Sequence, residues 1–223
     1  MIPWVQLDSA EMPDGGGAIR LKQRGSEFSI MLGAIELMNS RLSGSEEALA
    51  RLSCETIGQR PGASMLIGGL GMGFTLRAAL AELAADAHVT VAELVPAVVQ
   101  WARGSMADLF GGCLEDPRVS IWEGDVSALI RSRKRAYDAI LLDVDNGPEG
   151  LTRAANDALY DLSGLRSARE ALRSGGVLAV WSSAPDTAFT KRLQKAGFST
   201  QEVKTRANGK RGARHTIWLA TTG

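Results

Sequence analysis

The feature that most constrains the fold of this chain is the stretch Met65–Gly73, Met-Leu-Ile-Gly-Gly-Leu-Gly-Met-Gly. It begins as a short apolar run after Pro61-Gly62 and then breaks into the glycines Gly68, Gly69, Gly71 and Gly73. An Ala- and Leu-rich segment over 75–85 follows and predicts a helix. A strand, a glycine turn and a helix form the first unit of a nucleotide-binding α/β sheet, because glycine permits the turn and lets a ligand approach the backbone.

The spacing of these glycines narrows the class of ligand. A dinucleotide fingerprint, G-x-G-x-x-G, would need glycine where the chain has Phe74 or Leu76. A P-loop would need Gly-Lys-Ser/Thr, which does not follow. The observed G-G-x-G-x-G is a compact turn of the kind that S-adenosyl nucleotides favour, since no pyrophosphate has to be held. A tight strand-to-helix turn without a ligand is the alternative.

The composition argues against several other classes of protein. The 223 residues include 25 Lys and Arg and 25 Asp and Glu, so the net charge is zero, whereas nucleic-acid and membrane-surface binders rely on excess positive charge. The basic stretch over 204–214 is therefore interpreted as a solvated turn rather than a site for RNA or an acidic substrate. The sequence shows no membrane span and no secretory signal. Cys54 and Cys113 lack metal-ligand spacing, so we predict a cytoplasmic protein without a metal site.

The order of predicted elements divides the chain into two regions. Residues 1–42 predict a small β-meander, with alternating stretches such as Ala18–Lys22 and Phe28–Leu32. This meander is too small to be stable alone and is a candidate homodimer contact. Residues 43–223 predict a second domain that begins with a helix near Ser45. The strands expected in it are 65–67, 89–93, 119–122, 137–142, 177–181, 198–205 and 216–220.

Helices separate most of these strands, which predicts a mostly parallel sheet closed by an antiparallel hairpin. The fold class is therefore α/β, a seven-stranded, mostly parallel Rossmann-like sheet similar to that of class I methyltransferases. In such sheets the ligand lies beyond the carboxyl ends of the strands. The polar residues that follow those strand ends are the candidate site.

Two carboxylates at strand ends are candidates for binding a nucleoside. Glu93 ends the second strand of this sheet and could accept hydrogen bonds from both ribose hydroxyls. Asp125 follows the third strand and could accept from an adenine amino group, with the backbone N–H of Val126 as a donor. Their alternative roles are a solvated loop carboxylate and a helix N-cap, respectively.

The end of the fourth strand is the candidate place for chemistry. Asp143, Asp145 and Asn146 follow it directly, and we predict that they form the catalytic group. A carboxylate beside a sulfonium is favourable, and it can orient an incoming amine or take its proton. A simple turn is the alternative, since Asn-Gly-Pro follows. Tyr160, Trp181 and His215 are further pocket candidates, for which packing is at least as good an explanation.

With these residues the chain resembles the spermidine synthase family of class I transferases. The resemblance extends over most of the chain, from the β-meander through the glycine turn and Glu93. Further matching positions are Asp116-Pro117-Arg118-Val119, Gly124-Asp125, Asp143 and Leu159-Tyr160. Members of this family transfer an aminopropyl group from decarboxylated S-adenosylmethionine to an amine. The resemblance implies a nucleoside site at Gly68, Glu93 and Asp125.

Several positions depart from the family's pattern. Polyamine synthases carry an Asp in the glycine turn that holds the aminopropyl amine, where this chain has Gly71. Their second loop Asp, the base, corresponds to Asn146, with Asp145 one residue away. The Tyr and Glu with which they hold the polyamine correspond to Leu49 and Arg51. Cationic substrates need carboxylates to offset the cost of their desolvation, and these positions lack them. The resemblance therefore keeps the residues that would bind a nucleoside and lacks most of those that would bind a polyamine.

These departures favour methyl transfer from S-adenosylmethionine to a small acceptor, which needs mainly positioning and desolvation. Aminopropyl transfer from decarboxylated S-adenosylmethionine, with Asp145 as the base, is the second hypothesis. A non-catalytic nucleoside-binding protein is the third. The residues predicted to bind the S-adenosyl group are Gly68, Gly69, Gly71, Gly73, Glu93, Asp125, Val126 and Asp143.

Overall fold

The structure, a computed structural model, describes residues 2–13, 15–144, 158–208 and 211–223. The first part of the chain forms a four-stranded antiparallel sheet with the strands in chain order. Its strands are β1 (Val5–Glu11), β2 (Ala18–Arg24), β3 (Glu27–Leu32) and β4 (Ile35–Asn39). The predicted meander is confirmed, with one more strand than expected. Strand β1 escaped prediction because it is almost wholly exposed, so its side chains show no buried alternation.

The second sheet has seven strands in the order β10-β11-β9-β8-β5-β6-β7. The strands are β5 (Ser64–Gly68), β6 (His88–Glu93), β7 (Val119–Glu123), β8 (Tyr137–Leu142), β9 (Leu172–Ser182), β10 (Ser199–Asn208) and β11 (Arg211–Thr221). Strands β5 to β9 pair in parallel, and β11 pairs antiparallel with both β9 and β10. This confirms the predicted fold class. The order reverses beside β5, which is the position where a doubly wound sheet opens a ligand crevice.

Helices cover both faces of this sheet. They are α1 (Gly44–Ile57), α2 (Phe74–Glu82), α3 (Pro96–Arg103), α4 (Ala107–Phe110), α5 (Val126–Ser132), α6 (Leu162–Ala171) and α7 (Thr187–Lys195), with a 3₁₀ turn at Cys113–Glu115. Helix α3 begins at Pro96, as expected from the fixed φ of proline. Helix α1 begins at Gly44 with Ser43 in its N-cap position, two residues before the start that the predicted N-cap Ser45 implies. Among the described helices, none is both long and apolar enough to span a membrane.

The small sheet packs against one face of the large one. Ile19, Leu21 and Ile30 of the small sheet belong to the same buried apolar cluster as Met65 and Leu76 of the large domain. A second cluster lies on the other face, beneath α5, α6 and α7. The small sheet thus contributes a wall above the carboxyl ends of β5 and β6. The domain boundary near residue 42 and dimerisation through this sheet stay predictions.

Candidate functional site

The glycine turn after β5 lies against the first residues after β8. The Gly69 N–H donates to the carbonyl oxygen of Ala92 at 2.8 Å, and the Asp143 N–H donates to Gly68 at 3.0 Å. Gly69 has a φ of +89°, and a Cβ at this position would lie 2.5 Å from the Asp143 carbonyl oxygen. Only glycine fits here without strain. The turn and the β8 end are therefore held together at the crevice.

Two adjoining cavities open at this edge of the sheet. The Glu93 cavity has the glycine and polar lining residues Gly69, Gly71, Glu93, Gly124, Asp125 and Asp143, and its other lining residues are apolar. The Glu46 cavity is lined by Leu37, Met38, Asn39, Glu46, Leu70, Gly71, Met72, Phe74, Asp143 and Trp181. Both cavities include Asp143 and Gly71, so Asp143 lies where they meet. Among the described lining residues of the two cavities there is no Lys, Arg or His.

Glu93 is held firmly at the wall of its cavity. It is 7% exposed, and its two carboxylate oxygens accept hydrogen bonds from the N–H groups of Leu70 and Val95, both at 2.9 Å. Burial raises the pKa of this carboxyl group, while the backbone donors act in the opposite direction. Glu93 thus links the glycine turn to the end of β6 and lines the cavity. Its predicted role in binding a ribose stays a prediction.

Asp125 has the helix-capping role that was the alternative for it. Its carboxylate accepts from the Ser127 N–H at 2.8 Å and the Ser127 hydroxyl at 2.7 Å, at the start of α5. It also lines the Glu93 cavity together with Val126. The cap fixes the orientation of the carboxylate, so capping and ligand binding are compatible here.

Asp143 has a carboxyl group whose acidity is altered by its surroundings. The Thr75 hydroxyl donates to it at 2.7 Å. Burial, and then the negative charge of Glu46, raises its pKa to about 7, against the smaller opposing effect of the Thr75 hydrogen bond. Such a group changes protonation near neutral pH and can exchange a proton with a substrate.

Glu46 is a site residue that the sequence did not reveal. It follows the start of α1 and lines the cavity that bears its name. Burial raises the pKa of its carboxyl group as well, partly offset by a hydrogen bond from Ser45. The sequence suggested only a favourable position near the helix N-terminus for Glu46 and Glu47. Which of the two points into a cavity depends on how α1 packs, and Glu47 is exposed.

The remaining predicted residues lie in different places. Gly68 and Gly73 do not line either cavity; Gly68 faces Val126 and Leu142, and Gly73 packs against Phe110. Asp145 and Asn146 lie outside the described residues, so their predicted catalytic role stays a prediction.

The three further pocket candidates, Trp181, His215 and Tyr160, also differ in their distance from the cavities. Trp181 lines the Glu46 cavity, and His215 contacts both Trp181 and Ser45. Tyr160 is buried in the core against Phe189. Burial lowers the pKa of His215, which favours its neutral form.

The two positions that correspond to polyamine-binding residues of the family do not contribute to the site. Leu49 is fully buried in the core, and Arg51 is exposed and pairs with Glu55 at 3.7 Å. No group of three or more His, Cys, Asp or Glu residues within the described ranges could hold a metal ion. Burial raises the pKa of both Cys54 and Cys113 to about 11, so neither is a ready nucleophile.

The sheet order defines a class I methyltransferase-like fold, and carboxylates line a crevice at the carboxyl ends of its strands. The spermine/spermidine synthase domain matches residues 45–201. The chain belongs to the spermine/spermidine synthase family.

Several known proteins are similar to it. Polyamine aminopropyltransferase 1 of Streptomyces coelicolor is 31% identical over 153 residues, which cover 65% of this chain and 28% of that protein. Polyamine aminopropyltransferase 2 of Hyperthermus butylicus is 30% identical over 127 residues, which cover 57% of this chain and 40% of that protein. The matched stretch therefore spans less than half the length of these relatives.

Solved structures show the same fold. A spermidine synthase in complex with the transition-state analogue AdoDATO has a TM-score of 0.77 at 19% identity, covering 98% of this chain and 72% of that chain. The spermidine synthase of Thermotoga maritima has a TM-score of 0.74 at 18% identity, covering 98% and 73%. The preference for methyl transfer over aminopropyl transfer finds no support in these relatives and has to be corrected. It rested on the positions that depart from the family's pattern, which are Gly71, Asn146, Leu49 and Arg51.

Proposed function

We propose that the protein transfers an aminopropyl group from decarboxylated S-adenosylmethionine to an amine. The observation that carries this proposal is the charge of the Glu46 cavity. Two carboxyl groups, Glu46 and Asp143, line it, and no basic side chain does so among the described residues. Cationic substrates match such a cavity, since carboxylates offset the cost of removing an ammonium group from water.

The Glu93 cavity suits the nucleoside half of the donor. Glu93 lines it with a carboxylate that can accept from ribose hydroxyls, and Asp125 lines it with a carboxylate fixed by Ser127. The apolar residues between them suit an adenine ring. The sulfonium would lie near Asp143, because Asp143 borders both cavities.

The same charge argues against ordinary S-adenosylmethionine as donor. Its methionine tail ends in a carboxylate as well as an ammonium group. Beyond the sulfonium that carboxylate would enter a cavity that already holds Glu46 and Asp143, without a described cation to pair with. A third negative charge there would be repelled and poorly solvated. The decarboxylated donor lacks this group and carries only positive charges.

The proposed reaction needs little from the protein beyond positioning and one proton acceptor. The nitrogen lone pair of a neutral amine forms a bond to the propyl carbon next to sulfur. The C–S bond breaks, and its electron pair returns to sulfur, which leaves neutral methylthioadenosine. The amine nitrogen then loses one proton, and the Asp143 carboxylate is placed to accept it, having a pKa of about 7.

Product analysis tests this proposal. With decarboxylated S-adenosylmethionine and putrescine, mass spectrometry should find methylthioadenosine and an amine enlarged by one aminopropyl group. With S-adenosylmethionine it should find no S-adenosylhomocysteine. The opposite pattern would establish methyl transfer. Binding of methylthioadenosine in calorimetry without turnover of either donor, tested with several primary amines, would establish a non-catalytic nucleoside-binding protein.

A further inference from the structure

The glycine turn leaves one face of the Glu46 cavity without a charge. Gly71 has a φ of +52°, and a Cβ at this position would lie 3.4 Å from the sulfur of Met38. Met38, on β4 of the small sheet, thus occupies the space beside the turn. The positive φ is one that side chains rarely adopt, so an acidic side chain at residue 71 would be strained by the backbone. The carboxyl groups that line this cavity come from other elements, Glu46 from α1 and Asp143 from the end of β8.

Helix α1 supplies a carboxylate to the same cavity. Glu46 lines it together with Gly71 and Asp143. The charges of Glu46 and Asp143 are close enough to influence each other. Two carboxylates facing one cavity are costly when the cavity holds no cation, because each desolvated charge repels the other. This cost is removed when an ammonium group binds between them.

A hydrogen-bonded chain of three side chains fixes Glu46 from behind. The Ser45 hydroxyl donates to Glu46 Oε2 at 2.7 Å. His215 Nδ1, on β11, lies 2.9 Å from the Ser45 oxygen. Since the Ser45 proton goes to Glu46, the Ser45 oxygen is free to accept from a protonated Nδ1. Ser45 is completely buried, so water does not compete with this chain.

Trp181 completes the arrangement. Its ring meets the His215 ring edge-on, with centroids 4.8 Å apart at 70°, and it also lines the Glu46 cavity. The His215 imidazole is therefore held both by an aromatic contact and by a hydrogen bond. Such double support is typical of residues that orient a functional group rather than touch the ligand themselves.

We infer that Glu46, positioned by Ser45 and His215, is the carboxylate that binds a substrate ammonium group in this cavity. This inference rests on the proposed function and assigns the cation-binding role to α1 instead of the glycine turn. The ammonium group belongs either to the aminopropyl arm of the donor or to the amine acceptor. The chemistry of recognition is the same in both cases, and kinetics can separate them.

Steady-state kinetics of Glu46→Gln tests the inference. The KM of the substrate whose ammonium group contacts Glu46 should rise roughly ten- to hundredfold, the usual effect of losing a charge-assisted hydrogen bond. A rise for the decarboxylated donor assigns the aminopropyl arm, and a rise for putrescine assigns the acceptor. The affinity for methylthioadenosine should not change. The exposed neighbour Glu47 provides the matched control, because Glu47→Gln removes the same charge from the same helix turn.

A pair of substitutions at His215 tests the positioning role. His215→Asn keeps an N–H at the position of Nδ1 that can reach Ser45, whereas His215→Phe keeps the ring against Trp181 and loses the donor. If the hydrogen bond matters, His215→Phe should raise the same KM as Glu46→Gln by several-fold, and His215→Asn should keep that KM close to the original value. If His215 serves packing alone, Phe should be the milder change, which would overturn the positioning role.

Failure of the inference about Glu46 can be distinguished from failure of the proposed aminopropyl transfer. If the protein transfers aminopropyl groups and Glu46→Gln leaves both KM values unchanged, the inference fails alone. If it transfers nothing, calorimetric titration of putrescine into protein saturated with methylthioadenosine still measures ammonium binding directly. Binding that Glu46→Gln abolishes would then support the inference without the activity. Absence of binding of both putrescine and decarboxylated S-adenosylmethionine to the unaltered protein would overturn both.

Discussion

Two aspartates near the opposite ends of strand β8 have contrasting electrostatic surroundings. Asp138, near the start of β8, is 2% exposed and accepts from Arg60 at 2.9 Å, Arg173 at 2.7 Å and the Ser64 N–H at 2.8 Å. Asp143, just after the end of β8, accepts from the Thr75 hydroxyl and is influenced by another carboxylate rather than a cation.

This difference distinguishes a buried carboxylate that stabilises the fold from a carboxylate that is available to a ligand. At one end of the sheet the protein neutralises a buried carboxylate itself and thereby joins β5, β8 and β9. At the other end it leaves the carboxylate without a described cation, which is unfavourable for the empty protein and favourable for a cationic ligand. A protein built only for stability has no reason to maintain the second arrangement. The following experiments test how far this contrast holds.

The largest effect is expected for Asp143→Asn on catalysis. If this group accepts the amine proton, kcat/KM for aminopropyl transfer should fall by roughly 10²- to 10⁴-fold, the usual contribution of a positioned base. Steady-state kinetics measures the fall. The amide keeps an oxygen for Thr75, so methylthioadenosine should bind in calorimetry as it does to the unaltered protein. Activity within a few-fold of the original would remove Asp143 from the reaction.

The next effect concerns Asp138 and stability. Asp138→Ala leaves two arginines without their partner and should lower the free energy of unfolding by about 3–5 kcal/mol, as for other broken buried ion pairs. Urea denaturation measures this loss. If the cost is below about 1 kcal/mol, Asp138 is not the structural counterpart described here.

An exposed ion pair provides the control for Asp138. Lys134 and Glu170 lie 3.5 Å apart, with side chains 81% and 62% exposed. Glu170→Ala removes a carboxylate that is screened by solvent, so it should change the free energy of unfolding by less than about 1 kcal/mol. A similar loss for both variants would show that burial is not the cause.

The pH dependence of the free energy of unfolding should reveal the raised pKa of Asp143. Its pKa is raised from the usual 3.8 to about 7, so between these values the folded protein holds a proton that the unfolded chain releases. The resulting stabilisation is complete below pH 3.8 and is lost as the pH rises through 7. Asp143→Asn lacks this loss.

Denaturation at two pH values measures this effect. Relative to the original protein, Asp143→Asn should gain on the order of 2–3 kcal/mol between pH 5 and pH 8. Titrating groups that do not interact with Asp143 are common to both proteins and cancel in the comparison. An equal change in stability of the two proteins between these pH values would contradict the raised pKa of Asp143.

The fold could be predicted because its signals are local. The glycine turn, the apolar strands and the helices between them follow from periodicity and backbone chemistry. Even the closing hairpin was indicated by two adjacent strands without a helix. Strand β1 was missed because it packs by backbone pairing with β2 while its side chains stay in solvent, and such a strand has no characteristic pattern.

Some residues of the candidate site could likewise be predicted from local signals, and others depend on tertiary packing. Glu93, Asp125 and Asp143 were found because topology alone brings the ends of parallel strands together. Glu46 was not found, because its role depends on which side of α1 packs toward the glycine turn. Its support, His215, is 170 positions away from Ser45, and only the folded chain brings them together. The preference for methyl transfer, which the relatives do not support, came from the positions that lack the family's side chains, among them Gly71. The sequence did not show that Glu46 of α1 lines the same cavity.

The smallest effect is expected for carboxylates that the backbone already satisfies. Asp125 and Asp161 are both helix N-caps; Asp125 accepts from Ser127 at 2.8 Å, and Asp161 accepts from the Gly164 N–H at 2.7 Å. Substituting either by Ala should cost about 1 kcal/mol of stability, the usual value of a cap. Only Asp125 lines the Glu93 cavity, so only Asp125→Ala should also weaken methylthioadenosine binding. Equal binding by both variants would make Asp125 a cap alone and would leave Glu93 as the sole described carboxylate for the nucleoside.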